Sequence, residues 1–250
     1  MSVPKAPDAP QPSFSAVSQE QWRTLATKRL YFGRQSVGRN IIDGVQAVLA
    51  DHPEIPLQVF ESTTFDSSSP PGLYHSGVGQ NGDPGSKTSA FTGVVSASRP
   101  AVAMLKFCYL DVEDGKNPDS LFARYQADMS ALQKRRPDLV VVHVTMPLTT
   151  ASSWRGILMA KLRRRSSAND LNLIRNRYNA LLRQAYVGKE PVFDLARVES
   201  THTDGSRSYF VRGGDTVYTL APELTDDGGH LNPEGRRAAA EAFLAVLATL

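Results

Sequence analysis

Asp138-Leu139-Val140-Val141-Val142-His143-Val144 is the run that decides the reading of the fold. A strand with one face in water alternates apolar and polar residues, whereas a strand covered on both faces does not. Val140 to Val144 are apolar and β-branched apart from His143, so helices are expected on both sides of this strand. Four more short runs share that character: Leu30-Tyr31-Phe32, 57–60, 101–110 and 191–195. Between them the period changes to that of a helix. Apolar residues fall at 37, 41, 42, 45, 48 and 49 until Asp51-His52-Pro53 stops the pattern. Helices are also predicted over 121–133 and 170–186, and from Asn232 as N-cap and Pro233 at the first helical position to the C-terminal end. The alternation predicts a three-layer α/β/α sandwich with a flavodoxin-like, mostly parallel, five-stranded sheet. Residues 62–99, rich in Ser, Gly and Pro, read as one long loop, and 203–221 as a hairpin or loop excursion around Asp204-Gly205 and Gly213-Gly214.

The 250 residues suffice for one sizeable domain, expected over 21–250, behind a Pro-, Ala- and Ser-rich lead-in over 1–20 that reads as disordered. The lead-in lacks the apolar core of a signal peptide, so a cytoplasmic location is the default expectation, with export left open. No apolar run reaches membrane-spanning length. With 28 basic and 25 acidic side chains the net charge of +3 is too small to imply nucleic acid. The single cysteine, Cys108, excludes an intrachain disulfide and a cysteine zinc cluster. No phosphate loop, dinucleotide fingerprint or zinc-protease motif is present, and neither a metal nor a cofactor is implied.

In parallel sheets of this kind sites lie beyond the carboxyl ends of the strands. The first strand leads into Gly33-Arg34-Gln35-Ser36-Val37-Gly38. A serine in a strand-to-helix turn is lifted clear of the sheet, beside free backbone N–H groups able to hold a developing oxyanion. Serine is also a common N-cap, and on this segment alone both readings stand. Asp226-Asp227-Gly228-Gly229-His230 then places a carboxylate three residues before a histidine, at the entrance to the last helix. A serine hydroxyl needs a base working near neutral pH, and a carboxylate on the far ring nitrogen fixes that base. A loop histidine capping carbonyls is the plainer alternative.

Together, the serine after the first strand, the Asp-x-x-His before the last helix and Phe193-Asp194-Leu195-Ala196 on the preceding strand resemble the motif blocks of SGNH (GDSL-like) hydrolases. The order of elements from about 29 to 250 resembles them too. The resemblance implies a serine esterase forming an acyl-enzyme on Ser36, with His230 as base and Asp227 orienting it. It implies an oxyanion hole from the Ser36 N–H, a glycine N–H, assigned to Gly79, and an asparagine side chain. That asparagine is either Asn81, within Gly79-Gln80-Asn81-Gly82-Asp83, or missing, because the strand that should supply it runs into Cys108-Tyr109-Leu110-Asp111. The usual Gly-Asp-Ser-Leu is replaced by Gly33-Arg34-Gln35-Ser36-Val37. The implied partner is a small-molecule or glycan-linked ester, of a small acyl or acetyl group. A glycan-binding module of reduced activity and an O-acyltransferase using the same triad are the alternatives.

Other candidates have plainer readings. His143 reads as a core histidine, His75, His52 and His202 as exposed loop residues, and Cys108 as a small buried hydrophobe. Asp111 either binds substrate or caps the loop that continues into Glu113-Asp114-Gly115, and Asp194 reads as structural. Lys161-Leu162-Arg163-Arg164-Arg165 reads as a solvated face, its functional version being attraction to an anionic substrate or membrane surface; nucleic acid is not expected.

Overall fold

The computed structural model describes residues 2–9, 11–112 and 116–250, so Glu113-Asp114-Gly115 lie outside the described residues. The chain runs through α1 (Gln19–Ala26), β1 (Arg29–Arg34), α2 (Ser36–Asp51), β2 (Val59–Glu61), β3 (Gly72–Gly77) and α3 (Pro84–Ser98). It continues with β4 (Val102–Leu105), α4 (Pro118–Arg135), β5 (Val140–Val144), α5 (Trp154–Leu162), α6 (Ala168–Tyr186) and β6 (Val192–Phe193). It ends with α7 (Leu195–Ser200), the hairpin β7 (Tyr209–Arg212) and β8 (Asp215–Tyr218), and α8 (Pro233–Ala248).

The sheet has six strands in the order β2-β3-β1-β4-β5-β6, every neighbouring pair parallel. Without the edge strand β2, this is the flavodoxin-like order, with β1 between β3 and β4. Alternate residues feed two cores. Leu30, Phe32, Val102, Met104, Val142 and Val144 face α1, α2 and α8, while Tyr31, Ala103, Leu105 and Val141 face α3, α4 and α6. Both faces are thus covered, which is why the β5 run is apolar without alternation.

The expected five strands are corrected to six, and the long loop over 62–99 to a strand and a helix. β3 escapes a pattern reading because its interior carries His75 and Ser76. Their polar atoms are satisfied by partners distant in sequence: Ser76 by the Tyr31 hydroxyl at 2.7 Å, His75 by Arg34 at 3.1 Å. α3 carries Ser, Thr and Gly at most of its positions and only Phe91 and Val95 as large buried apolar residues. Its start was legible: Asp83 caps Ser86 N–H at 3.1 Å and Pro84 holds the first position. The strand expected over 101–110 stops at Leu105, where Asp111 draws the chain into a turn by accepting from Cys108 N–H at 2.8 Å. Strand 191–195 stops at Phe193, because Asp194 caps α7.

The Pro-rich lead-in runs along the body. Val3 N–H donates to Asp215 at 2.8 Å, Ala9 is buried, and Asp8 pairs with Arg197 and Arg207. Among the described residues no helix is long and apolar enough to cross a membrane.

Candidate active site

Ser36 is the first residue of α2, and the residue in the N-cap position is Gln35. Gln35 makes no capping bond; its amide instead donates to the carbonyls of Val78 and Gly79 at 2.6 and 2.9 Å. The N-cap reading of Ser36 is therefore corrected. Among the described residues nothing hydrogen-bonds its hydroxyl, and the Gln35 clamp fixes the β3–α3 loop beside it. Gly79 in that loop sits at φ +55, where a Cβ would lie 2.5 Å from Lys87 N. Only glycine fits there.

Asn81, next in the loop, is exposed and its Oδ1 accepts from Lys87 Nζ at 2.9 Å. An ammonium has no acceptor, so the atom facing Lys87 is the amide oxygen and the Nδ2 donors point elsewhere. Lys87 itself is buried and also binds both Asp111 oxygens, at 2.8 and 2.7 Å. Asp111 in turn accepts from Gly82 N–H at 2.9 Å and Cys108 N–H at 2.8 Å. Asp111 is thus the buried counter-charge that joins the Gly79–Asp83 loop to the end of β4. Of its two expected roles, substrate binder or loop cap, the geometry matches the second.

At the other end of the chain, Asp227 and His230 meet. Asp227 Oδ2 accepts from His230 Nδ1 at 2.7 Å, while Oδ1 accepts the backbone N–H of Gly229 at 2.9 Å and of His230 at 2.7 Å. These bonds, led by the His230 backbone, hold the Asp227 carboxyl well below the usual carboxylate range. A carboxylate only accepts, so Nδ1 carries a hydrogen and Nε2 is the ring nitrogen left to face solvent. Both side chains are open to solvent, at 58% and 40% exposure for Asp227 and His230. The Tyr109 ring stands edge-on to the imidazole, with centroids 5.9 Å apart.

Two contacts register the Asp227–His230 loop on α2. Leu231 N–H donates to Asn40 Oδ1 at 3.1 Å, and Asn40 lies one turn beyond Ser36 on the same helix face. α2 and α8 approach so closely that a Cβ on Gly44 would sit 2.2 Å from Arg236 O. Ser36 and His230 are not hydrogen-bonded to each other; such bonds are often long in the free form of an enzyme.

Beneath the site lies a pair that sequence reading missed. Lys106 and Glu199 are buried, and Lys106 Cε lies 3.4 Å from the Cβ position of Gly38 in the first turn of α2. Lys106 Nζ and Glu199 Oε1 have no hydrogen-bond partner among the described residues. Burial pushes Lys106 down to about 8 and Glu199 up to about 8. His75, expected as an exposed loop residue, is instead buried on β3 against Arg34, which Glu61 holds from the other side at 2.6 Å. His143 is a satisfied core histidine between Tyr125 at 2.8 Å and Glu190 at 3.1 Å. His52 and His202, expected at the surface, are half-buried and pair with Glu54 and Glu223. Cys108 is buried, and Asp194 is locked by Arg183 through two contacts of 2.7 Å.

No protein-family model and no curated protein sequence matches the chain. Solved structures do. The lipase/acylhydrolase from Enterococcus faecalis is 12% identical, with 87% of this chain and 93% of that one covered at a TM-score of 0.51. A carbohydrate esterase family 3 protein from Talaromyces cellulolyticus is 18% identical over 86% and 92% of the two chains, at a TM-score of 0.45. At such identity the likeness is one of fold, and the first of these carries it together with the strand order and the two-sided core. The chain has the fold of the SGNH (GDSL-like) hydrolases, in a divergent form.

Proposed function

We propose that the protein is a serine esterase that cleaves small acyl esters, acetyl esters foremost, carried by a small molecule or a glycan. Ser36 attacks the ester carbonyl as His230 Nε2 takes its proton. Collapse of the tetrahedral intermediate expels the alcohol, which receives that proton, and leaves an acyl-enzyme. Water activated by the same nitrogen then releases the acid and restores Ser36. The Ser36 and Gly79 N–H groups and the Asn81 amide hold the oxyanion. The observation that carries this reading is the two-pronged grip of Asp227 on His230, one oxygen on the ring and the other on the backbone. A carboxylate, unlike a carbonyl, also offsets the positive charge of the imidazolium that forms when Nε2 takes the proton. The departure of Gly33-Arg34-Gln35-Ser36-Val37 from the Gly-Asp-Ser-Leu pattern motivates a second reading, a glycan-binding module of reduced activity.

Hydrolysis of p-nitrophenyl acetate by the wild type and by Ser36→Ala separates the two. Turnover lost in the variant, with an unchanged circular dichroism spectrum, supports the esterase. Equal turnover in both proteins sinks the assignment of Ser36. No turnover in either, with measurable saccharide binding, favours the binding module.

A further inference from the structure

α5 has no buried residue and stands clear of the body. Trp154 and Leu162 are each 70% exposed, and Ile157, Leu158 and Met159 are exposed with them. Trp154, Ile157, Leu158 and Leu162 fall at i, i+3, i+4 and i+8, which puts them on one face. Five exposed aliphatic or aromatic side chains on one short helix exceed the scattered apolar residues of an ordinary surface. Around them lie Arg155, Lys161, Arg163, Arg164 and Arg165, and no acidic residue occurs between Asp138 and Asp170. The segment is anchored at both feet: Ser152 N–H donates to Asn169 Oδ1 at 2.8 Å, and Ala168 N–H to Ser152 Oγ at 3.1 Å. The first foot also reaches the Asp227–His230 loop, as Thr150 N–H donates to Gly228 O at 2.9 Å.

From this combination we infer that α5 is an interfacial helix that docks the carboxyl edge of the sheet onto an anionic lipid surface. Trp154, Leu158 and Leu162 enter the boundary between headgroups and acyl chains, and the five cations meet the lipid phosphates. Long Lys and Arg side chains reach outward from an apolar face, so Arg155 and Lys161 fit beside the apolar side chains. Charge chooses among occupants. A second copy of this chain presents the same cations and repels them, and a nucleic acid uses the cations but leaves the apolar face in water. An anionic bilayer satisfies both sets of groups at once. The inference does not rest on the esterase reading.

Trp22 is buried and Trp154 exposed, so tryptophan emission reports on α5. The test mixes the full chain with phosphatidylcholine vesicles, with and without phosphatidylglycerol, and follows both pelleting and emission. The expected result is co-sedimentation and a blue shift with the phosphatidylglycerol vesicles alone, weakened by added salt. Replacing three cations, Arg163→Gln with Arg164→Gln and Arg165→Gln, is expected to weaken partitioning by on the order of a hundredfold. Leu158→Ser with Leu162→Ser is expected to abolish the blue shift, and both variants sit on exposed positions that the fold does not need. The inference is overturned if wild type stays in the supernatant with unshifted emission, or if both variants pellet as wild type does. Self-association or salt-dependent DNA binding without vesicle binding overturns it equally.

Discussion

Asp227 holds a ring with one oxygen and a backbone with the other. In Asp227→Asn the amide oxygen is able to take the backbone N–H groups, which turns Nδ2 toward His230 Nδ1. Two donors then face each other, and the ring must adopt the tautomer whose Nε2 carries hydrogen. Turnover is expected to fall by on the order of 10³–10⁴. Because Asp227 is exposed, the thermal midpoint is expected to stay nearly constant, a point checked by differential scanning fluorimetry beside the esterase assay. Both residues were legible in sequence because they lie within four positions of each other and meet within one loop. Lys106, Glu199 and the amide of Gln35 were not. The burial of Lys106 and Glu199 and the reach of Gln35 to Val78 and Gly79 arise only in the folded chain, and no local pattern carries them.

Besides the Gln35 clamp, a buried ion pair braces the loop that holds Gly79 and Asn81. Lys87 on α3 and Asp111 after β4 are fully buried, and between them they engage Asn81, Gly82 and Cys108. Lys87→Met leaves Asp111 buried without its counter-charge, a loss of about 3–5 kcal/mol. Chemical denaturation should show that loss, and the esterase rate should fall with it because the Asn81 anchor goes as well. A variant as stable and as active as wild type would contradict this account of the loop. Strands with a continuous apolar run and helices with a clean 3.6-residue period were readable from sequence. β3 and α3 were not, since β3 hides its polar side chains in tertiary hydrogen bonds and α3 has almost no apolar stripe. Asp83-Pro84 carried the start signal of α3, and reading it would have broken the long loop.

Across the molecule, the parallel sheet sets both the place of the site and the response to acid. β1 lies between β3 and β4, and the turn and helix after it meet both the loop after β3, through Gln35 and Gly79, and the entrance to α8, through Asn40 and Leu231, despite their separation in sequence. Burial, aided by the adjacent Arg34 charge, pushes His75 down to about 4. His143 is lowered in the same sense by burial. For each, the unfolded chain binds the proton first as pH falls. The stability each contributes is therefore complete above the ordinary histidine value near 6.5 and is lost as the pH drops below it, for His75 toward about 4. The His75 part amounts to on the order of 3 kcal/mol. His75→Gln, whose amide oxygen is still able to accept from Arg34, should flatten the fall in thermal midpoint across that window; an unchanged slope would assign the acid sensitivity to other groups.

The claim at the centre is that Ser36 is an activated nucleophile. Labelling with a fluorescent fluorophosphonate, run on wild type beside Ser36→Ala, tests it without assuming a substrate. The account predicts labelling of the wild type that disappears in the variant. A well-folded wild type that takes no label, or a variant that labels as strongly, would contradict it.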